Sequence, residues 1–145
     1  MPHPSPRPPI YTLVVKKSAT GYGLFAGQAI PAHRFLIEYW GPIVSDDEAN
    51  RVRGRYLFEI GKNKTILGGL RNNIARYANH ACRPNAEARI IKGRVFLFSK
   101  KAIHEGDEIT YNYGKEYVDA FIKPHGCRCA SCQKKRATSF QPPHG

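Results

Sequence analysis

Four short stretches of this 145-residue chain carry residue types at spacings that suit chemistry. Two hold all the sulfur of its cysteines. "CRCASC" supplies Cys127, Cys129 and Cys132 within six residues, and "NHACRPN" at 79–85 supplies Cys82. Structural zinc takes four tetrahedral thiolate or imidazole ligands, so the first stretch cannot close a site alone. Cys82 is the only remaining cysteine. His80 and His125 each precede a cysteine by two residues and offer a Cys3His set instead, and a buried core thiol is the plain alternative for Cys82. The third stretch, Gly21, Tyr22 and Gly23, lets backbone groups approach a ligand closely, or simply makes a turn. It lacks the GxGxxG and following helix of a dinucleotide site. The fourth, "TYNY", places Tyr111 and Tyr113 two apart, on one face of a strand. With Tyr39, another tyrosine at a strand end, such phenols line an aromatic slot with polar oxygens inside it, or are half-buried surface residues.

The elements that must position these residues are short. "YTLVV" and "RFLIEYWG" read as strands, the latter ended by Gly41 and Pro42, and "GYGLFAG" as a glycine-punctuated turn running into apolar residues. "SDDEANRVR" is the best helix signal, with Ser45 and Glu48 as a capping pair and acids in its first turn. "RYLFEI" and "KTIL" form a hairpin around Gly61, Lys62 and Asn63. "NNIARYANH" suits a helical turn. "AEARII" alternates and reads as half exposed, whereas "RVFLFS" reads as a central strand, with Lys92 and Gly93 turning between them. "HEGDEITYNYG" is a turn followed by a strand. The chain is therefore expected to be a mostly β single domain of many short strands, with disordered ends. Residues 1–9 form a proline-rich arm, and structure begins near Ile10.

Lys and Arg number 23 against 11 Asp and Glu, a formal charge of +12, so anionic partners or cofactors are attracted. The basic residues are scattered, which describes a solvated face better than a nucleic-acid groove. Neither a secretory signal nor a membrane span is evident, and adjacent CxC pairs fit a metal better than disulfides. An intracellular, reducing compartment is expected.

Taken in order, "GYGLFAGQAIPAHRFLIEYWG", "NNIARYANHACRPN", "EGDEITYNYG" and "CRCASC" resemble the SET-domain protein lysine methyltransferases with a short cysteine-rich post-SET segment. The resemblance runs from about residue 11 to residue 132. It implies a SET domain over 10–118, a post-SET zinc segment over 119–132 and a basic tail over 133–145. It also implies small curved sheets and a knot-like crossing that brings Asn79 and His80 beside Tyr113, an exception to the rule that chains do not thread. By the same resemblance Gly21, Tyr22, Gly23, Asn79 and His80 hold S-adenosylmethionine, supported by Arg76 and Tyr77. Tyr39, Tyr111 and Tyr113 line the channel for a substrate lysine, with Tyr113 the principal catalytic residue. Tyr111 stands where the family carries Phe or Tyr, and its hydroxyl implies mono- or dimethylation. Zinc is implied at Cys82, Cys127, Cys129 and Cys132, with Cys82 reaching away from the cofactor toward the tail.

Three positions depart from the family's pattern: Ala81 follows Asn-His in place of serine, Pro42 replaces an acid, and CxCxxC is tighter than usual. The implied activity is methyl transfer to a lysine of a protein substrate, histone or histone-like. A +12 surface repels such basic partners unless acids such as Asp46, Asp47, Glu48, Glu105, Asp107 and Glu108 line the groove. Two other readings are a module that binds lysine or methyl-lysine peptides by cation–π contacts without turnover, and a zinc-stabilised basic domain that binds nucleic acid.

Overall fold

The computed structural model describes residues 5–19, 21–52 and 56–114. The expected post-SET segment and basic tail, with His125, Cys127, Cys129 and Cys132, lie outside these residues, as do the first four residues of the arm.

Ten short strands and one helix make up the described chain: β1 (Leu13–Ser18), β2 (Gly21–Ala26), β3 (Phe35–Tyr39), β4 (Ile43–Val44), α1 (Asp46–Val52), β5 (Leu57–Gly61), β6 (Lys64–Leu67), a 3-10 turn (Ile74–Tyr77), β7 (Asn79–His80), β8 (Ala86–Ile91), β9 (Arg94–Ser99) and β10 (Glu108–Tyr111). They form three small sheets, ordered β1-β2-β10-β7, β3-β9-β8 and β4-β6-β5. Mostly β architecture with one helix is thus what the alternating patterns foretold.

Local chemistry accounts for the element ends. The Ser45 hydroxyl accepts from the Glu48 amide at 3.3 Å and starts α1, as the Ser-x-x-Glu spacing requires. Asn63 turns the β5–β6 hairpin with φ 59°, and Lys92 and Gly93 turn β8–β9 with φ 50° and 75°. Positive φ at both central residues matches the right-handed twist of the flanking strands. β9 lies between β3 and β8, the central place expected of "RVFLFS", and its residues alternate between buried and half-buried.

Two expectations differ from the structure. The glycine start of "GYGLFAG" is not a turn: Gly21–Ala26 is β2 throughout, paired antiparallel with β1 from Ser18↔Gly21 to Leu13↔Ala26. Glycine lowers strand propensity, but the apolar residues that follow, Leu24 and Ala26, are buried and hold it in the sheet. The arm is also tethered before Ile10. The Arg7 amide donates to Glu38 Oε1 at 2.8 Å, and its guanidinium lies 4.1 Å above the Phe35 ring. Glu38 is fully buried on β3 and pairs with Arg94 at 2.7 Å, while Arg94 also donates to the Ser5 carbonyl. The hydrogen bond to Glu38 raises the Arg94 pKa, which only strengthens its hold on the proton.

The three sheets share one core, built on Leu24, Ile30, Leu36, Ile66, Val95, Leu97, Ile103 and Ile109. Its importance for function is where it ends. β10 pairs antiparallel with β2 on one side and parallel with β7 on the other, Thr110↔Asn79 and Tyr111↔His80. Segments about thirty residues apart are thereby laid edge to edge.

Candidate active site

The β7–β10 seam is fastened by backbone and side-chain bonds together. The Ala81 amide donates to the Tyr111 carbonyl at 3.2 Å. The Tyr113 amide donates to His80 Nδ1 at 3.1 Å, and the Tyr113 hydroxyl donates to the Ala78 carbonyl at 2.7 Å. Asn85 splices the next turn, donating to the Glu108 carbonyl and accepting from the Thr110 amide. The 3-10 turn is fixed from the other side by Asn73, whose buried amide donates to Gly68 at 2.8 Å and accepts from Trp40.

From this seam a run of rings extends. Tyr113 packs on His80 with centroids 5.3 Å apart and on Tyr111 at 4.9 Å. Tyr111 stacks on Phe58 at 6.4 Å and 22°, and Phe58 leans on Tyr39 at 5.3 Å. The three tyrosines singled out from sequence are therefore brought into one aromatic wall. Tyr113 lies past the end of β10 rather than on its face, yet its ring still adjoins Tyr111. Sequence reading missed Phe58 and the Ala78 carbonyl. Phe58 was visible only as an apolar strand residue, and a backbone oxygen carries no residue-type signal at all.

A second group is tied to the seam through Asn79 of β7. Asn79 Nδ2 donates to the Tyr22 carbonyl at 3.0 Å and to Glu108 Oε2 at 2.7 Å, tying β7 to the Gly-Tyr-Gly segment. Tyr22 is exposed and meets Tyr77 edge-on at 6.1 Å. The Arg76 guanidinium donates to the Tyr77 hydroxyl and to the Gly69 carbonyl, and lies over the Tyr77 and Tyr56 rings. Tyr22, Arg76, Tyr77 and Asn79 are thus linked beside the aromatic wall, with Gly21 exposed next to them and Gly23 and His80 buried behind.

His80 is buried, and burial pushes its pKa down. Its Nδ1 accepts a backbone hydrogen, so the neutral ring carries its proton on Nε2, which faces Cys82 Sγ at 3.5 Å. Cys82 is exposed. The expected reach of Cys82 toward the tail lies with residues outside those described; within them its sulfur adjoins the His80 ring.

Two observations bear on the fit of S-adenosylmethionine, which combines an anion, cations and a flat base. Arg76 Nε is buried with no hydrogen-bond partner among the described residues, a donor suited to a carboxylate. Gly21 has φ 116° and open space where a side chain would stand, beside the exposed Tyr22 ring. The residues fit the group. For zinc, the described residues contain no cluster of three His, Cys, Asp or Glu, and Cys82 is the one proposed thiolate among them.

The SET domain family matches residues 21–114, and the chain belongs to that family. Its relatives are named as enzymes of one kind. Histone-lysine N-methyltransferase 2D of Homo sapiens is 33% identical over 127 residues, 79% of this chain and 2% of that protein. Histone-lysine N-methyltransferase MEDEA of Arabidopsis thaliana is 33% identical over 120 residues, 74% of this chain and 17% of its own length. Histone-lysine N-methyltransferase trr of Drosophila melanogaster is 28% identical, covering 83% and 6%. The chain spans only a small part of the length of these relatives. No helix among the described residues is long and apolar enough to cross a membrane.

Proposed function

We propose that this chain is a protein-lysine N-methyltransferase that uses S-adenosylmethionine and acts on an exposed lysine of a histone or histone-like protein in a reducing, intracellular compartment. The observation that carries this reading is the β7–β10 seam, which sets the Tyr39, Phe58, Tyr111 and Tyr113 wall directly against the surface made by Asn79, His80 and Tyr22. Family membership and the names of the relatives support it.

S-adenosylmethionine, when bound, supplies an electrophilic methyl on a sulfonium. Gly21, Tyr22, Asn79 and His80 would hold it, with Arg76 offering Nε to its carboxylate and Tyr77 bracing Arg76. Gly23 belongs to the same strand. The aromatic wall takes the lysine side chain, whose methylenes bury against the rings and shed water. An amine enclosed this way favours its neutral, nucleophilic form, since burial disfavours the cation. The Tyr113 hydroxyl gives its hydrogen to Ala78, so its lone pairs are left to accept from the amine and hold it in line. The Ala78 carbonyl stands 2.7 Å from that oxygen and adds a second acceptor at the same end. No general base is required by this arrangement.

Incubation with labelled S-adenosylmethionine and a panel of lysine-rich proteins tests the reading. Wild type is expected to label a protein, and Tyr113→Phe to do so roughly a hundredfold more slowly, the scale of loss for a misplaced reactant. Cofactor binding without transfer to any protein would overturn the enzyme and leave the peptide-binding module. Transfer unaffected by Tyr113→Phe would remove the role given to that hydroxyl.

A further inference from the structure

Gly23 and Glu108 meet where β2 and β10 pair, and the contact there changes what the second glycine of "GYG" is for. A Cβ on Gly21 would enter open space, whereas a Cβ on Gly23 would lie 2.5 Å from Glu108 Oε2 and 3.1 Å from the Phe25 ring. Gly23 therefore makes room for a carboxylate of the protein itself, on the inner side of the strand.

Among the described residues that carboxylate accepts from Asn79 Nδ2 at 2.7 Å. The same nitrogen reaches the Tyr22 carbonyl at 3.0 Å and the Ser18 hydroxyl at 3.4 Å. A side-chain amide has two ends of nearly equal size, one donating and one accepting, and only its neighbours decide which way it faces. A carbonyl and a carboxylate both accept, so a flipped Asn79 would set oxygen against oxygen twice. The Tyr22 carbonyl alone imposes a modest bias, because a strand carbonyl can shift or turn to water. The shorter bond to a charged group is the stronger of the two. With Nδ2 held among these acceptors, Oδ1 must face the other way, out of the cage.

We propose that Glu108 is a positioning residue of the cofactor site: its carboxylate fixes the Asn79 carboxamide with Oδ1 presented to the ligand, and Gly23 is glycine in order to seat that carboxylate. The proposal rests on the reading of Asn79 as a cofactor contact. It separates the two glycines by role, with Gly21 opening the ligand side and Gly23 the protein side. A donor on the cofactor, such as its ammonium group, is the chemistry that an outward Oδ1 would recognise.

Binding of S-adenosylhomocysteine, measured by calorimetry, tests this without turnover. Glu108→Gln keeps an acceptor of the same shape and is expected to bind within about threefold of wild type, whereas Glu108→Ala, which frees the carboxamide to flip, weakens binding about tenfold, the scale of one charge-assisted hydrogen bond. The KM for a lysine peptide should stay near wild type in both, a separation that general destabilisation of the fold would not produce. Gly23→Ala should also weaken binding about tenfold in wild type, yet add little in the Glu108→Ala background, where the seat is vacant. Glu108→Ala binding like wild type, or Gly23→Ala costing the same in both backgrounds, would overturn the proposal. Failure of wild type to bind either S-adenosylmethionine or S-adenosylhomocysteine would instead remove the methyltransferase reading on which it rests.

Discussion

At the scale of single residues, Tyr111 and Tyr113 are neighbours with different tasks. Tyr113 has its hydroxyl engaged by the Ala78 carbonyl at the seam, while Tyr111 is one ring further along, nearly buried and stacked on Phe58. In the proposed reaction a hydroxyl at 111 occupies volume and holds water where each added methyl must go. Mono- and dimethyl-lysine are then the expected products, and Tyr111→Phe is expected to shift the distribution toward trimethyl-lysine in a mass-spectrometric time course. An unchanged distribution would remove this assignment. These tyrosines were legible in the sequence only through the family resemblance, because phenols two apart at a strand end read equally as half-buried surface residues. Phe58 was not, since an aromatic in a half-buried strand is ordinary. Glu108 was legible only as a charge, because its meaning lies in a contact with Gly23 and Asn79 that no local pattern encodes.

At the scale of elements, strands and their turns were readable from alternation and turn chemistry, as in the β5–β6 and β8–β9 hairpins. The parallel pairing of β7 with β10 was not readable that way, because two-residue β7 carries no periodicity; only family resemblance pointed to it. Glycines between elements make a sharper test. Gly68 follows β6, and a side chain there would overlap the Tyr39 ring and hydroxyl, whereas one on Gly41 would overlap the Leu67 backbone carbonyl. Tyr39 can give way only by swinging its whole side chain, because Cζ and Oη lie on the ring axis, whereas a paired backbone cannot give way at all. Gly68→Ala is therefore expected to remain folded and lose turnover by about a hundredfold, because the displaced Tyr39 deforms the aromatic wall. Gly41→Ala should lower stability by about 3 kcal/mol, the cost of forcing an atom into a packed interior. Thermal melts and steady-state kinetics on both variants check this. Equal loss of stability in the two would mean that Tyr39 is held as rigidly as the backbone.

At the scale of the whole molecule, the seam lies close to the point where the described chain ends at Gly114, and Cys82 sits on its rim. Twelve residues lie between Gly114 and Cys127, a reach of roughly 40 Å when extended. Chain length therefore permits Cys127, Cys129 and Cys132 to meet Cys82 around one zinc ion. The consequence for activity follows from what Cys82 touches. Its sulfur adjoins His80 Nε2, and His80 Nδ1 holds the Tyr113 amide, so a metal at Cys82 would brace the turn that positions Tyr113 while the core of Leu24, Leu36 and Leu97 folds without it. One zinc per chain is expected by elemental analysis. Cys82→Ser should lose that zinc and lower turnover about tenfold, the scale seen when support around a metal centre is removed, while the melting transition of the domain stays cooperative and close to wild type. A chelator should reproduce the loss in wild type and add nothing to Cys82→Ser. If Cys82→Ser keeps both its zinc and full turnover, the fourth ligand is His80 or His125 and the tail is not anchored through residue 82.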